Sequence, residues 1–358
     1  MKILLVGEFS GLNAGLKDGL QDLGHQVTLA AGGDGFKKIP GADKRLYPNA
    51  HGKSLFHKIY SYVYYPLTDN SLKGYDVVQV VGTDIFYRPI GALPYMRLKN
   101  NNDRFFINAA GVDYYLYQYW KNKKYAYEYY MFDDNPQLCA LYDGKSINSR
   151  QINHTCKKVN EIADGIIPVI PYEYEAPYRT FNNLRKPILF PINIDSIIYK
   201  ENQVKDKIVF FHGISRPLDK GSNYIKEAMK IIQEKYPSDV ECIVVERLPY
   251  EEYIRVMSRA NVIIDQCKSF GYGINASIAM AQGKVVMSGA EKLDIESVKG
   301  SCPVINIRPS VDQIVSEMER LIENKNEIQD MGRRSREYVE ENHNYIKIAQ
   351  QYIETWSA

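Results

Sequence analysis

The chain has 358 residues, which exceeds a typical single domain and suits two domains with separate cores. Its net charge of +2 gives no strong field that would favour nucleic acid as a partner. Five scattered cysteines without Cys-x-x-Cys spacing fit a reducing cytoplasm better than a disulfide framework or a zinc site, and no apolar run approaches the roughly 20 residues of a membrane-spanning helix.

The first 31 residues predict a strand, a helix and a second strand. Met1–Gly7 is an apolar run that is too short for a signal peptide and indicates a buried strand, and His25–Ala31 indicates the next one. Between them four leucines recur at helical spacing: Leu12, Leu16, Leu20 and Leu23. Such a unit is a right-handed parallel crossover and half of a Rossmann-like domain. Gly7 and Gly11 lack the full dinucleotide spacing, so we expect no nicotinamide or flavin site.

Two further strands are predicted at Asp76–Val81 and Arg104–Asn108. The second is followed by Asp113, an acid just past a strand end, where α/β domains place ligand-contacting groups. Asp113 is therefore a candidate catalytic or acceptor-contacting residue. Equally, it can cap the helix that follows.

Tyrosines are crowded in two stretches, Tyr60–Tyr65 and Tyr114–Tyr130, and the second also contains Trp120 and three lysines. Tyrosine rings stack on sugars and also suit a membrane interface, where one end is apolar and the other wet. A basic aromatic surface at Tyr114–Tyr130 would suit a lipid-linked acceptor or peripheral membrane contact. The alternative for both stretches is helical packing.

Apolar runs at Ile166–Ile170 and Ile188–Ile192 indicate the last strands of a first domain, residues 1–194. The polar segment 195–206 has no periodicity and is the best candidate for an interdomain linker. Residues 207–340 then form a second domain. A charged helical tail follows, predicted over Met331–Trp356, of which residues 341–358 are the last helix.

The second domain opens with a strand at Lys207–His212 and a loop that holds Arg216 and Lys220. A guanidinium and an ammonium together can neutralise a diphosphate without a metal. The next strand, Val240–Val245, ends at Glu246, and a later one is predicted at Cys302–Ile307.

Val262–Gly289 packs a strand, a glycine loop, a helix and a second strand into one short unit. Val262–Ile264 is the first strand, and Asp265 follows at its end. Gly271 and Gly273 allow a tight turn before the helix, whose amino terminus would point its free N–H groups into the ligand crevice of a parallel sheet.

These two motifs resemble those of retaining glycosyltransferases of the GT-B fold, particularly the family-4 group. Gly271-Tyr272-Gly273 and Ala279–Gly283 fall in register with that family's donor motif, although Phe270 and Ile278 stand where it has glutamates. The resemblance implies an α/β fold of two Rossmann-like domains facing across a cleft, with the last helix crossing back to the first domain.

The same resemblance implies the roles of individual residues. Arg216 and Lys220 would hold the donor diphosphate, Glu246 would border the nucleotide base, and Gly271 and Gly273 would approach the donor. Asn275 and Ser277 are the polar side chains beside the missing glutamate, and Gly11 is a close-approach position in the first domain.

The implied activity is transfer of a sugar, with retention, from a UDP- or GDP-linked donor to a saccharide or glycolipid acceptor in surface polysaccharide or glycoconjugate assembly. The nucleotide sugar is a substrate, so no cofactor is expected, and the absence of an Asp-x-Asp pair from the donor motif predicts metal independence. A cytoplasmic location is expected, with peripheral contact at the inner face of the membrane as an open alternative. A nucleotide-sugar-binding partner subunit and a sugar-nucleotide epimerase remain alternatives.

Overall fold

A computed structural model describes residues 1–32, 40–47, 54–122, 124, 149–214, 216–246, 248 and 250–358. The described chain forms two compact units, one from residues within 1–125, 142–191 and 345–358, and the other from residues within 192–344. The part of the tyrosine-rich stretch Tyr114–Tyr130 beyond residue 124 lies outside the described residues.

The first unit contains a six-stranded parallel sheet. Its strands are β1 (Lys2–Val6), β2 (Gln26–Ala31), β3 (Lys44–Arg45), β4 (Val77–Val81), β5 (Arg104–Ala109) and β6 (Gly165–Pro168). They lie in the order β3-β2-β1-β4-β5-β6, which is the order of a Rossmann fold. Strands β4, β5 and β6 are buried along their whole length, except for Arg104, as apolar runs of this kind require in a sheet covered on both faces.

Helices and short turns connect these strands. The α-helices are α1 (Leu12–Asp22), α2 (Leu55–Ile59), α3 (Tyr65–Thr68), α4 (Leu93–Asn100), α5 (Tyr114–Lys121) and α6 (Arg150–Ile162). A π-helical turn, Tyr60–Tyr64, joins α2 to α3, and 3₁₀ turns lie at Asn70–Leu72, Arg88–Ile90 and Ala176–Tyr178. Of the four leucines predicted at helical spacing, Leu12, Leu16 and Leu20 lie in α1 and are fully buried, and Leu23 directly follows the helix.

The strand predicted at Ile188–Ile192 is wrong. This segment forms only an isolated bridge, between Ile192 and Asn344, although its apolar side chains are buried. Pro187 precedes the run and Pro191 lies inside it, and proline has no N–H to donate to a sheet. The apolar pattern of this segment therefore predicted its burial correctly but its strand pairing wrongly.

The second unit contains a five-stranded parallel sheet in the order β11-β10-β9-β7-β8. Its strands are β7 (Ile208–Ile214), β8 (Val240–Glu246), β9 (Val262–Ile264), β10 (Val285–Ser288) and β11 (Ile305–Asn306). Counted within the unit, this is the order 2-1-3-4-5 of the flavodoxin-like fold. The last strand is shorter than the predicted Cys302–Ile307, because only its end pairs with β10.

The helices of this unit cover both faces of its sheet. They are α7 (Pro217–Lys220), α8 (Ser222–Lys235), α9 (Tyr250–Met257), α10 (Ile274–Ala281), α11 (Lys292–Ile295), α12 (Val311–Glu323) and α13 (Ile328–Asn342), with 3₁₀ turns at Ile194–Ser196 and Lys325–Glu327. The apolar stripes of α8 and α12 pack on β7, β9 and β10 in one core cluster.

The polar segment 195–206 belongs to the second unit and is anchored to it. Asn202 is buried there, and its side chain donates to the carbonyl of Asn261 at 2.9 Å and accepts from the Asn261 side chain at 2.8 Å. The two amides thereby fix this segment next to the start of β9.

The carboxyl-terminal tail forms two helices rather than the single predicted one. After α13 the chain turns at His343 and Asn344 and continues as α14 (Tyr345–Ser357), which belongs to the first unit. Tyr352 and Trp356 of α14 are buried, so this helix is not a solvated surface helix.

Two polar side chains inside the first sheet account for the position of α14. The Trp356 indole donates to Gln79 Oε1 on β4 at 3.1 Å, and Asn108 Nδ2 on β5 donates to the Tyr352 hydroxyl at 2.7 Å. Buried amides of this kind are costly unless they are hydrogen-bonded, so they favour this one placement of the helix.

We predict that Trp356→Ala destabilises the protein by about 3–5 kcal/mol, since it leaves a large cavity and removes a partner from Gln79. The measurement is denaturant unfolding, with Gln351→Ala on the exposed side of the same helix as the control. Equal stabilities for the two variants would show that α14 contributes little to this unit.

Candidate functional site

The carboxyl ends of β7 and β9 form the topological switch point of the second sheet, where α/β folds bind ligands. The loop after β7 carries Arg216 and Lys220, and the loop after β9 runs from Asp265 to Gly273. The Cys267 N–H donates to the carbonyl of Lys220 at 3.0 Å, which holds the two loops together. Both predicted motifs are thus brought to one edge of the sheet.

Lys220 and Asp265 form a buried ion pair at this edge. Lys220 Nζ lies 2.5 Å from Asp265 Oδ1, and the two side chains are only 3% and 4% exposed. Lys220 was predicted to hold a diphosphate, and in this structure its charge is already compensated by a carboxylate. Its role towards a donor stays a prediction, and its observed role is to join the two loops.

Gly273 begins α10 directly beside this pair. Its backbone is extended, with φ −107° and ψ −177°. A Cβ placed at Gly273 would lie 3.9 Å from Asp265 Oδ2. The second carboxylate oxygen therefore faces the start of α10, where the helix dipole favours negative charge.

The other predicted donor-binding residues of this unit differ in exposure. Arg216 is 47% exposed and pairs with Asp219 at 3.5 Å, and Glu246 is exposed at the carboxyl end of β8. Gly271 is buried and Asn275 is half-buried. Ser277 is fully buried, and its hydroxyl has no hydrogen-bond partner among the described residues.

Phe270, which replaces the first glutamate of the resembled motif, is buried in this loop. Its carbonyl accepts the Glu291 N–H at 2.8 Å. Gly289 allows the loop to pack closely, because a Cβ at that position would lie 2.0 Å from the Ser269 carbonyl oxygen. The Tyr272 hydroxyl lies 3.0 Å from His343 Nε2, which ties the loop to the end of α13. Ile278, at the second glutamate position, is half-buried on α10.

His212 on β7 is a buried residue of this site that the sequence analysis did not single out. Its Nδ1 lies 2.7 Å from the Ile264 carbonyl and its Nε2 lies 2.9 Å from Ser222 Oγ. Burial lowers the pKa of His212 to about 4, so the ring is neutral near pH 7. The neutral ring donates from Nδ1 to the carbonyl and accepts at Nε2 from Ser222, and so links β7, β9 and the start of α8.

In the first unit, Asp113 is the N-cap of α5. Its Oδ1 accepts from the Leu116 N–H at 3.0 Å and its Oδ2 accepts from the Tyr178 hydroxyl at 2.6 Å. Burial raises the pKa of Asp113, against the hydrogen bonds that lower it. Asp113 therefore caps α5, which was the alternative to a catalytic role. A catalytic role for Asp113 stays a prediction.

Gly11 begins α1 with a φ of +95°, and the buried carboxylate of Glu8 occupies this helix start. Glu8 accepts from the N–H groups of Phe9, Gly11 and Ala14 at 2.6, 2.9 and 2.9 Å. Burial nevertheless raises its pKa. The helix start that binds pyrophosphate in dinucleotide-binding folds is therefore filled by the protein's own acid, which agrees with the missing glycine spacing.

Asp265, His212 and Glu8 were thus missing from the predicted site. Asp265 and Glu8 each lie within two residues of the end of an apolar run. An acid in this position is expected at the ligand edge of a parallel sheet, so the sequence could have indicated both residues. His212 carried no such signal, since it lies inside β7 and its partners come from other elements.

Within the described parts of the chain, no group of three or more His, Cys, Asp or Glu residues is placed to hold a metal ion. No helix among the described residues is long and apolar enough to cross a membrane. The four cysteines in the described ranges form no disulfide.

No protein-family model and no curated protein sequence matches this chain. Among solved structures, a sucrose-phosphate synthase from Thermosynechococcus elongatus aligns over 100% of this chain and 98% of its own, with a TM-score of 0.65 and 16% identity. The Anabaena protein HepE, in complex with UDP and glucose, aligns over 100% of both chains with a TM-score of 0.66 and 12% identity. A UDP-GlcNAc 2-epimerase from Neisseria meningitidis bound to UDP-GlcNAc aligns over 99% of both chains, with a TM-score of 0.53 and 11% identity.

At these identities the likeness establishes the fold. The chain has the α/β GT-B fold with two Rossmann-like domains, as its two motifs predicted. Membership of the family-4 group stays a prediction.

We predict that Lys220→Met lowers the free energy of unfolding by about 3–5 kcal/mol, because it leaves the Asp265 carboxylate buried without its partner. Lys220→Met combined with Asp265→Leu removes both charges and should recover most of that loss. Denaturant unfolding measures both, with Arg216→Met as the half-exposed control. If Lys220→Met were as stable as Arg216→Met, the ion pair would not hold the two loops.

Proposed function

We propose that the protein is a glycosyltransferase that moves a sugar from a nucleotide-sugar donor to a saccharide or glycolipid acceptor, with retention at the anomeric carbon. The observation that carries the proposal is the full-length GT-B fold, in which the switch point of the second unit brings Arg216, Lys220 and the start of α10 to one sheet edge. HepE, which shares this fold, was solved with UDP and glucose. Surface polysaccharide or glycoconjugate assembly is the proposed context.

The second unit is the proposed donor unit because the two comparable helix starts differ in charge. In the first unit, Glu8 fills the start of α1 with a carboxylate. In the second unit, the loops that lead to α8 and α10 carry three basic residues: Arg216 and Lys220 are paired with Asp219 and Asp265, whereas Lys268 has no carboxylate of the described residues as a partner. A negatively charged UDP or GDP group is therefore attracted to the second unit and repelled from the helix start of the first.

Each predicted donor contact has a proposed task. Arg216 and Lys220 stabilise the charge that develops on the leaving diphosphate, so that no divalent metal is needed. Glu246 borders the base, and backbone N–H groups near Gly271 and Gly273 approach the donor. Sugar or ribose hydroxyls bond to Asn275 and Ser277, in keeping with the Ser277 hydroxyl that lacks a described partner.

The acceptor is assigned to the first unit, where Asp113 and Gly11 are the proposed contacts. Asp113 already uses both carboxylate oxygens within the unit, so an acceptor would have to displace the Tyr178 hydroxyl or the Thr83 hydroxyl, the latter 3.4 Å away. Displacing Thr83 breaks the weaker of the two hydrogen bonds, because it is the longer one.

Two specific observations keep other functions in consideration. The buried Phe270 and the half-buried Ile278 leave the donor motif without its usual acids, which favours a nucleotide-sugar-binding partner subunit of low activity. The likeness to a UDP-GlcNAc 2-epimerase favours epimerisation of the donor. Product analysis separates the three functions. A transferred sugar indicates the glycosyltransferase, a donor that is bound but unchanged indicates the binding subunit, and an epimerised nucleotide sugar indicates the epimerase.

We predict that UDP- or GDP-sugars raise the melting temperature of the wild type and that Gly273→Val abolishes this shift while remaining folded. The valine fits the extended backbone of Gly273, but its side chain lies over Asp265, where the donor would approach the start of α10. Gly32→Val is the control, since a Cβ there meets nothing within 4 Å. A wild type that none of these nucleotide sugars stabilises would contradict the proposal.

Peripheral membrane contact is also proposed, and the structure describes a second surface that suits it. The helical segment 55–64 exposes its apolar side chains, with Leu55 and Phe56 at 73% and 74%, alongside Ile59, Tyr60 and Tyr64. Residues 44–68 contain four Lys or Arg residues and no Asp or Glu. An exposed apolar helix in a basic stretch is complementary to an anionic lipid surface.

We predict that Leu55→Ser combined with Phe56→Ser weakens binding to vesicles that contain phosphatidylglycerol by at least about tenfold, since each apolar side chain contributes about 1.5–3 kcal/mol when buried. Vesicle co-sedimentation measures this, with Ile198→Ser, at an equally exposed position of the second unit, as the control. Equal sedimentation of all variants would contradict membrane contact through this segment. Membrane contact would also be contradicted if the wild type formed a dimer that the double variant did not form, because the apolar side chains would then bind a second copy of the chain.

A further inference from the structure

Lys268 is a buried lysine in the loop after β9, three residues beyond Asp265. It is 3% exposed, and its ammonium lies 5.7 Å from the centre of the Tyr224 ring. No carboxylate of the described residues lies within 4.0 Å of the Lys268 nitrogen. Lys220, at the same sheet edge, has Asp265 as its counter-ion. Lys268 therefore supplies a positive charge that this edge does not neutralise.

The stem of Lys268 crosses the start of α8, a helix of 14 residues. A Cβ placed at Gly221, the N-cap of that helix, would lie 3.1 Å from Lys268 Cγ and 2.5 Å from Cys267 Sγ. Gly221 has a φ of +70°, so glycine is favoured here both by the backbone conformation and by this close approach. Tyr224, whose ring faces the ammonium, lies in the first turn of the same helix.

This placement is unfavourable for the protein alone, for two reasons. Burial of nearly the whole Lys268 side chain without a carboxylate beside its charge costs free energy that one aromatic ring offsets only in part. The amino terminus of a helix is also the positive end of its dipole, so a lysine there is repelled rather than attracted. Both costs disappear when an anion binds between the ammonium and the helix start.

We infer that Lys268 and the first turn of α8 form an anion site that takes the diphosphate of a nucleoside diphosphate. The inference rests on the proposed function and deepens it, because it identifies Lys268 as the residue whose charge the diphosphate neutralises. Besides its proposed task towards the leaving group, Lys220 positions the site, since its ion pair with Asp265 and its carbonyl bond to Cys267 hold the loop that carries Lys268. Arg216 is half-exposed, and its 3.5 Å ion pair with Asp219 would open or be shared when it contacts the outer face of the diphosphate.

The test compares Lys268→Met with Lys230→Met, an exposed position on the same helix α8. Isothermal titration calorimetry measures the affinities of the full chain for UDP, GDP, uridine and inorganic pyrophosphate, and calorimetric unfolding measures the melting temperature without ligand. We expect Lys268→Met to lower the affinity for pyrophosphate, and for whichever of UDP and GDP binds, by at least about tenfold. A loss of this size corresponds to one charge-assisted hydrogen bond. Its affinity for uridine should be unchanged, its melting temperature should be no lower than that of the wild type, and Lys230→Met should match the wild type throughout.

The possible failures are distinguishable. Nucleotide binding that is unaffected in Lys268→Met would overturn the inference and leave the proposed function intact. Pyrophosphate binding that depends on Lys268, in a protein that binds neither UDP nor GDP, would support the anion site and overturn the proposed function. A wild type that binds none of the phosphates would overturn both. If Lys268→Met and Lys268→Gln both fail to fold, Lys268 is a structural residue and the inference is wrong.

Discussion

The buried ion pair between Lys220 and Asp265 is the interaction on which the arrangement of the second unit's site depends. It joins the loop after β7 to the loop after β9 at the point where the strand order reverses. The neutral His212 ring supports the same connection by binding the Ile264 carbonyl and the Ser222 hydroxyl. A pair of this kind stabilises only while both partners are present, because either charge alone would be buried without compensation. The Lys220–Asp265 ion pair therefore holds the loop after β9, which contains Gly271 and Gly273, in its position.

This pairing decides how the positive charges at the sheet edge can be used. Lys220 is committed to Asp265, Arg216 is half-exposed, and Lys268 is buried beside a helix start without a carboxylate of its own in the described chain. The first unit shows the opposite arrangement, in which Glu8 neutralises the start of α1. The start of α1 in the first unit and the start of α8 in the second thus carry opposite local charge. This contrast is a physical reason, independent of likeness to other proteins, for assigning an anionic donor to the second unit.

Most of the fold followed from local patterns in the sequence. Apolar runs at Val77–Val81 and Val262–Ile264 became buried central strands because both faces of a parallel sheet are covered. The same reasoning failed at Ile188–Ile192, because Pro187 before the segment and Pro191 within it have no N–H group for strand pairing. It also missed the break at His343 that separates α13 from α14. That break is tertiary in origin, since the His343 carbonyl accepts from Ile192 and its ring bonds to the buried Tyr272.

The sequence by itself determined which residues reach the sheet edge, because a strand end followed by a short loop fixes the position of Arg216, Lys220 and Asp265 along the chain. It also determined the two glycine motifs that indicate the GT-B fold. Only the tertiary structure decided which lysine is neutralised: Lys220 meets Asp265 across 45 residues of sequence, whereas Lys268, three residues from Asp265, meets an aromatic ring instead. The physical reason is that burial and counter-ion choice depend on packing between distant segments, and no local pattern records which of two nearby lysines a carboxylate will face.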